Sequence, residues 1–78
     1  MEKKVVLYGT STCPYCLRAR QFLGDNNIDY ENIDVSADQE KVRELVEKTG
    51  QMGVPVVDID GEIIIGFEKD KISQALGL

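Results

Sequence analysis

Histidine is absent from these 78 residues, and cysteine occurs only twice, as Cys13 and Cys16. A tetrahedral zinc centre needs four cysteine or histidine ligands. A metal site here would have to borrow ligands from a second chain or a small molecule. Long apolar runs are missing too: Val5-Val6-Leu7-Tyr8 ends at Gly9, and the longest run elsewhere is Ile63-Ile64-Ile65. Neither approaches the roughly 20 residues of a membrane-spanning helix, so no membrane association is expected. The start at Met1-Glu2-Lys3-Lys4 runs directly into the first of these runs and does not look like a secretory signal, which makes the cytoplasm the expected address. Basic residues are few, nine against fourteen acidic ones for a net charge of −5. With no Lys/Arg block to track a phosphate backbone, nucleic acid is not an expected partner. Internal repeats, linkers and low-complexity segments are also absent.

What remains is a chain with 42% apolar residues, enough for a compact core and expected to form one domain over residues 1–78. A domain this small often needs a staple. A Cys13–Cys16 bridge would close a loop of only four residues, worth about 2 kcal/mol on a chain-entropy estimate, less than a longer loop yields. As scaffolding this is a poor use of two cysteines. In a reducing compartment a close pair is more often catalytic or metal-binding.

The pattern predicts βαβαββα. Val5 to Tyr8 is a continuous run suited to a strand buried on both faces. After the polar turn Thr10 to Thr12, a helix starts near Pro14, because proline suits the first helical position. Its inner face is Cys16, Ala19 and Leu23, with Phe22 on the flank. Tyr30 to Val35 reads as a second strand. Ser36 or Asp38 caps a second helix with the stripe Val42, Leu45, Val46, ending at Gly50. Val56, Val57 and Ile59 form a third strand, Asp60-Gly61 a hairpin turn, and Ile63 to Ile65 a fourth strand. A last helix carries Ile72, Ala75 and Leu76. The first βαβ unit requires a parallel pair and the hairpin adds an antiparallel one, so the fold class is α/β with a mixed four-stranded sheet flanked by helices.

Cys13-Pro14-Tyr15-Cys16 falls at the junction of the first strand and first helix. Cys13 lies at the helix N-terminus, where unpaired N–H groups and the helix dipole favour a thiolate. Two intervening residues bring the second sulfur within bonding reach. The first cysteine faces solvent, while Cys16 lies on the apolar stripe. An exposed nucleophile and a sheltered resolving thiol are what disulfide exchange requires. A thiol of pKa about 8.5 is only a few per cent ionised at neutral pH, and lowering it by about two units makes the thiolate the majority form. Arg18 and Arg20 are the nearest cations in sequence, either helping the sulfur or only solvating the helix.

Two further segments carry weaker signals. Pro55 opens the third strand, either in trans as an ordinary strand start or in a cis bond after Val54 that folds a loop beside the sulfurs. Val54 would then offer its backbone to an extended, peptide-like substrate. Gly66-Phe67-Glu68-Lys69-Asp70 opens the last helix, where the N–H groups of Phe67 and Glu68 suit a carboxylate, while the Phe67 ring suits the core equally well.

Taken together, Cys13-Pro14-Tyr15-Cys16 after a first strand, Val54-Pro55 about forty residues later and the segment Gly66 to Asp70 resemble the glutaredoxin family over nearly the whole chain. The segment Thr49 to Val56 is most similar to short glutaredoxin-like proteins of Gram-positive bacteria. The resemblance implies a thioredoxin fold, a cis peptide before Pro55, Cys13 as nucleophile and Cys16 as resolver. It also implies glutathione as co-substrate, with no tightly bound cofactor. Tyr15, Gln51, Val54, Phe67 and Glu68 would hold the glutathione, and Pro14 and Pro55 would shape the site. Disulfide-containing or glutathionylated proteins would be the substrates of a monomeric enzyme.

The chain departs from the family pattern at defined points. Thr10 and Ser11 stand where a Lys or Arg usually meets a glutathione carboxylate, Gly53 replaces a usual Thr, and Glu68 and Lys69 replace paired aspartates. Gly66-Phe67 with Asp70 is also similar to redoxins that are reduced by thioredoxin reductase and serve ribonucleotide reductase. A different class of function is an iron-sulfur cluster held between two chains by Cys13 and two glutathiones. The bulky Tyr15 and rigid Pro14 resemble enzymatic members more than cluster carriers.

Overall fold

The structure is a computed structural model, and it describes residues 4–51 and 53–78. Among these residues, seven elements run in the order β1 (Val5–Gly9), α1 (Pro14–Asp25), β2 (Glu31–Asp34), α2 (Gln39–Thr49), β3 (Val56–Ile59), β4 (Glu62–Ile65) and α3 (Lys69–Leu76). The strands form one mixed sheet in the order β2-β1-β3-β4. β1 pairs parallel with β2 and antiparallel with β3, and β3 pairs antiparallel with β4. The sheet with its flanking helices is the mixed α/β arrangement expected from the pattern and the thioredoxin-like fold that the resemblance implies.

Strand alternation divides the apolar residues between the two faces of the sheet. Val5, Leu7, Val57, Ile59 and Ile64 pack with Ala19 and Leu23 of α1 and with Ile72 and Ala75 of α3. Val6, Tyr8 and Val56 pack on the opposite face with Val35 and with Leu45 of α2. β1 is buried along its whole length, which explains why its sequence shows no polar alternation. Burying one such aliphatic side chain contributes about 1.5–3 kcal/mol. β2 is an edge strand and mostly exposed, so its sequence signal is weak. It spans less than the expected Tyr30 to Val35, although the Val35 N–H still donates to the Gly9 carbonyl at 2.9 Å.

Local chemistry sets the element ends. Pro14 opens α1 and Cys13 is its N-cap. Of the two candidate caps for α2, Asp38 takes the role, accepting from the Glu40 N–H at 2.9 Å. Ser36 instead donates to Asp34 from both its N–H and its hydroxyl. Asp60 and Gly61 both have positive φ, 55° and 98°, as a two-residue type I′ hairpin turn requires. The last helix starts later than the sequence suggested: α3 begins at Lys69 with Glu68 as N-cap. Gly66 turns the chain out of β4 at φ 84°. Phe67 is then drawn inward, its ring edge-on to Phe22 of α1 with centroids 6.1 Å apart. Phe67 and Glu68 are thus the two residues before the helix, not its first turn.

Register places the loops. Gly9 is opposite Asp34, Tyr8 opposite Val56, and Val56 opposite Ile65. The exit of β1 toward Cys13, the entry to β3 at Pro55 and the exit of β4 at Gly66 therefore share one end of the sheet. The Gly66 N–H donates to the Pro55 carbonyl at 2.8 Å and ties two of these segments together.

Candidate functional site

The shared end of the sheet carries the cysteine pair. As N-cap, Cys13 keeps an extended backbone (φ −87°, ψ 118°), and its sulfur accepts from the Cys16 N–H at 3.4 Å. This satisfies one of the four donors that a helix start leaves free. The Cys13 carbonyl accepts from the Leu17 N–H at 3.1 Å, closing the first turn. Both cysteines are free thiols; Cys13 is half-buried and Cys16 is 0% exposed.

The two sulfurs differ in acidity for identifiable reasons. Cys13 is held below an ordinary thiol, first by the hydrogen bond from the Cys16 side chain, then by the Cys16 and Tyr15 backbone N–H groups, with the positive charge of Arg20 adding in the same direction. Partial burial opposes this. Cys16 is pushed above an ordinary thiol, first by burial and then by its hydrogen bond to Cys13. The Thr10 backbone and the Arg20 charge pull it back. One sulfur is poised as an accessible anion and the other as a protected thiol, the arrangement that attack followed by resolution requires.

Around this pair the other candidate residues fall into two groups. Tyr15 is 57% exposed on the first turn of α1, with the Arg18 guanidinium 5.5 Å from its ring centroid. Arg18 therefore serves Tyr15, whereas Arg20 acts on the sulfurs. Pro55 is buried, its bond to Val54 is cis, and Val54 is half-buried against the α2 side of the core. Gln51 is exposed after α2, held by a reciprocal pair of bonds between its backbone and the Thr49 hydroxyl at 2.8 and 3.2 Å. Its side-chain amide lies alongside Gly53. Phe67 is half-buried, with its ring packed against the core beside Phe22. Glu68 is exposed and makes no side-chain cap bond to α3. The first-turn N–H groups of that helix have no capping side chain.

Two residues of the site, Gly9 and Asn32, escaped the sequence reading, and the structure decides between the two readings of Arg20. A Cβ built on Gly9 would lie 2.9 Å from Cys16 Sγ and 3.3 Å from Arg20 Nη2. Arg20 donates from Nη2 to the Thr10 carbonyl at 3.0 Å and from Nε to Asn32 Oδ1 at 2.9 Å. A signal was present for Arg20: it lies four residues after Cys16, one helical turn along the same face. Nothing in the sequence pointed to Gly9 or Asn32, because both act through strand positions.

A second cluster lies on the α2 face. Tyr8 is 1% exposed, accepts from Lys48 Nζ at 2.7 Å and donates to Glu44 at 3.3 Å. Lys48 also pairs with Asp58 at 3.2 Å. These bonds tie α2 to the sheet under an open cavity of about 240 Å³. Among the described residues there is no group of three or more His, Cys, Asp or Glu placed to hold a metal ion. No helix among them is long and apolar enough to cross a membrane.

Comparison with known proteins agrees with this geometry. The glutaredoxin family model matches residues 5–64. A glutaredoxin-like 8.6 kDa protein of the rubredoxin operon of Clostridium pasteurianum is 38% identical over 72 residues, covering 92% of this chain and 96% of that one. Glutaredoxin 3 of Escherichia coli is 31% identical over 64 residues, covering 82% and 77%. Among solved structures, a thioredoxin-like protein superposes with a TM-score of 0.88 at 36% identity, covering 94% of this chain and all of that one. With the match spanning both cysteines and the junctions after β1 and before β3, the chain belongs to the glutaredoxin family of thiol–disulfide oxidoreductases.

Proposed function

We propose that the protein reduces protein disulfides and glutathione mixed disulfides through Cys13 and Cys16, with glutathione as its reductant. The observation that carries this is the asymmetry of the pair: an N-cap sulfur of lowered pKa beside a fully buried sulfur of raised pKa. The Cys13 thiolate attacks one sulfur of the substrate disulfide. A Cys13–S–S–substrate bond forms, and the other substrate sulfur leaves with the electron pair and takes up a proton. Cys16 then loses its proton to solvent and attacks Cys13 Sγ, releasing the remaining substrate thiol and leaving Cys13–Cys16 oxidised. For a glutathione mixed disulfide, Cys13 takes the glutathionyl sulfur and a second glutathione releases it as glutathione disulfide.

Several features support glutathione as the reductant. The backbone of Val54 beside cis-Pro55 suits a peptide-like ligand. The uncapped start of α3 behind Phe67 and Glu68 suits a carboxylate. The Lys69 ammonium lies 5.8 Å over the Phe22 ring, next to Phe67, and adds a positive charge there. Tyr15 and Gln51 are exposed and free to contact the rest of the molecule. The setting we infer is the cytoplasm, where a dithiol can be kept reduced, with the chain acting as a monomer.

The absence of a cation at Thr10 and Ser11 favours a second reading, a redoxin reduced by thioredoxin reductase. NADPH oxidation in a coupled assay separates the two. Turnover with glutathione and glutathione reductase is expected. Turnover with thioredoxin reductase alone would transfer the reductant assignment to the second reading.

A further inference from the structure

Cys16 has the harder task of the two sulfurs. It must become an anion while completely buried, and burial is the largest influence against it. Among the described residues the charged and titratable groups that act on it are Cys13 and Arg20. Cys13 opposes ionisation, while Arg20 is the cation in its favour, acting in the same direction as the larger influence of the Thr10 backbone.

The placement of Arg20 is constrained on both sides. Nη2 is held by the Thr10 carbonyl at 3.0 Å and Nε by Asn32 Oδ1 at 2.9 Å. The guanidinium thus bridges the β1–α1 loop and the edge strand β2. The missing side chain of Gly9 opens the space between it and the sulfur: a Cβ there would lie 2.9 Å from Cys16 Sγ on one side and 3.3 Å from Nη2 on the other. Both groups therefore border one narrow gap that is too small for a methyl group. Thr10, which the guanidinium pins through its carbonyl, also supports the Cys16 thiolate through its backbone.

We propose that Arg20 is a positioning residue for the resolving half of the exchange: clamped by Thr10 and Asn32 across Gly9, its guanidinium is the fixed cation that Cys16 faces when its sulfur ionises to attack the mixed disulfide. This rests on the assignment of Cys16 as resolver. The proton goes to solvent, the Cys16–Cys13 disulfide forms, the Cys13–substrate bond breaks, and the substrate sulfur leaves with the electron pair and is reprotonated. Arg20 exchanges no atoms. A planar fork fits this task because it can hold two acceptors and still present positive charge to a third group.

An opposite charge about 4–6 Å away moves a pKa by about one unit, and the Arg20 charge ranks last among the influences on Cys16, so one unit is the upper end of the expected shift. Losing it lowers the thiolate fraction about tenfold per unit below the midpoint. A more basic thiolate is also more nucleophilic, with a Brønsted coefficient of about 0.4–0.5, which returns about threefold. The resolving rate should therefore fall by up to about threefold.

The direct test titrates Cys16 alone. In full-length protein carrying Cys13→Ser, absorbance near 240 nm against pH reads the Cys16 thiolate. Adding Arg20→Gln should raise its midpoint by up to about one unit, and Arg20→Lys, which keeps the charge without the fork, should raise it less. In otherwise unaltered protein, release of glutathione from the Cys13 adduct should slow by up to about threefold in Arg20→Gln, while alkylation of Cys13 changes less. An unmoved midpoint in Arg20→Gln would reduce Arg20 to a structural tie between α1 and β2. Should that variant not fold, Arg20→Lys and Asn32→Ala decide, and unmoved midpoints in both would overturn the proposal. Failure of the resolver assignment looks different. The unaltered protein would then hold its glutathione adduct as long as Cys16→Ser does, whatever Arg20 does to the midpoint.

Discussion

Gly9 and Cys16 meet so closely that a methyl group on the glycine would stand 2.9 Å from the sulfur and 3.1 Å from Cys16 Cβ. No ordinary Cβ contact is that short, and Cys16, with 0% exposure, has nowhere to retreat. Gly9→Ala is expected to destabilise the protein by about 1–3 kcal/mol through overpacking. For a domain of this size each 1 kcal/mol lowers Tm by about 4–8 °C. Thermal unfolding checks this, and an unchanged Tm would show that α1 shifts freely away from β1.

The two cysteines should separate cleanly by function. Cys13→Ser is expected to abolish all turnover. Cys16→Ser should retain activity toward glutathione mixed disulfides, where a second glutathione can resolve the adduct, and lose it toward protein disulfides. Equal loss of glutathione-adduct reduction in the two variants would refute the assignment of roles.

Reactivity against pH gives a sharper measure of the first step. Cys13 has its pKa lowered by the Cys16 hydrogen bond and the helix-start N–H groups, so its alkylation by iodoacetamide should show a midpoint below the roughly 8.5 of a free thiol. Activity limited by thiolate formation then rises with pH only up to that lowered midpoint. Cys16, buried and shifted upward, should alkylate far more slowly. A Cys13 midpoint at or above about 8.5 would refute the N-cap argument.

Lys48 links α2 to the sheet, and its contribution depends on pH with a definite sign. Its pKa is raised on folding, first by the Tyr8 hydroxyl and then by Asp58. A raised ammonium stabilises the fold fully below its unfolded value, near 10.4, and that stabilisation is lost as pH rises through the folded value. Lys48→Met should therefore cost about 1 kcal/mol at neutral pH, the scale of a partly exposed hydrogen-bonded pair. The gap between variant and parent should close above about pH 10.5. Urea unfolding at several pH values tests this; a gap that persists unchanged at high pH would assign the loss to packing alone.

Glutathione should bind, but weakly. Its second carboxylate has no cation at Thr10 or Ser11, and the net charge of −5 provides no general attraction. One partly exposed charge-assisted hydrogen bond contributes about 1.5 kcal/mol, or roughly tenfold in affinity. Thr10→Lys or Ser11→Lys is accordingly expected to lower the KM for glutathione in at least one of the two variants. No improvement in either, with turnover supported only by thioredoxin reductase, would point away from glutathione.

Much of this protein is written locally in its sequence. The unbroken run Val5 to Tyr8, ended by Gly9, reads as a strand covered on both faces. Pro14 sets the start of α1, Asp60-Gly61 the hairpin, and the spacing of Cys13 and Cys16 puts one sulfur at a helix start and the other on its buried face. These are properties of neighbouring residues and of periods of two and about four, and they require no knowledge of distant partners. The glutaredoxin resemblance drew on the same short segments. What the sequence did not contain is register. Whether Gly9 or another residue faces Cys16 depends on how α1 lies on β1, and Arg20 finds Asn32 across twelve residues of chain. Tyr8 finds Lys48 across forty. The inward turn of Phe67, which delays α3 to Lys69, is decided by the ring of Phe22 on another helix. Packing fixes such pairs to within an ångström, because a close-packed interior accepts only one arrangement of its side chains. The nature of the two sulfurs is therefore local, but the residues that let the buried one react are chosen by the tertiary fold.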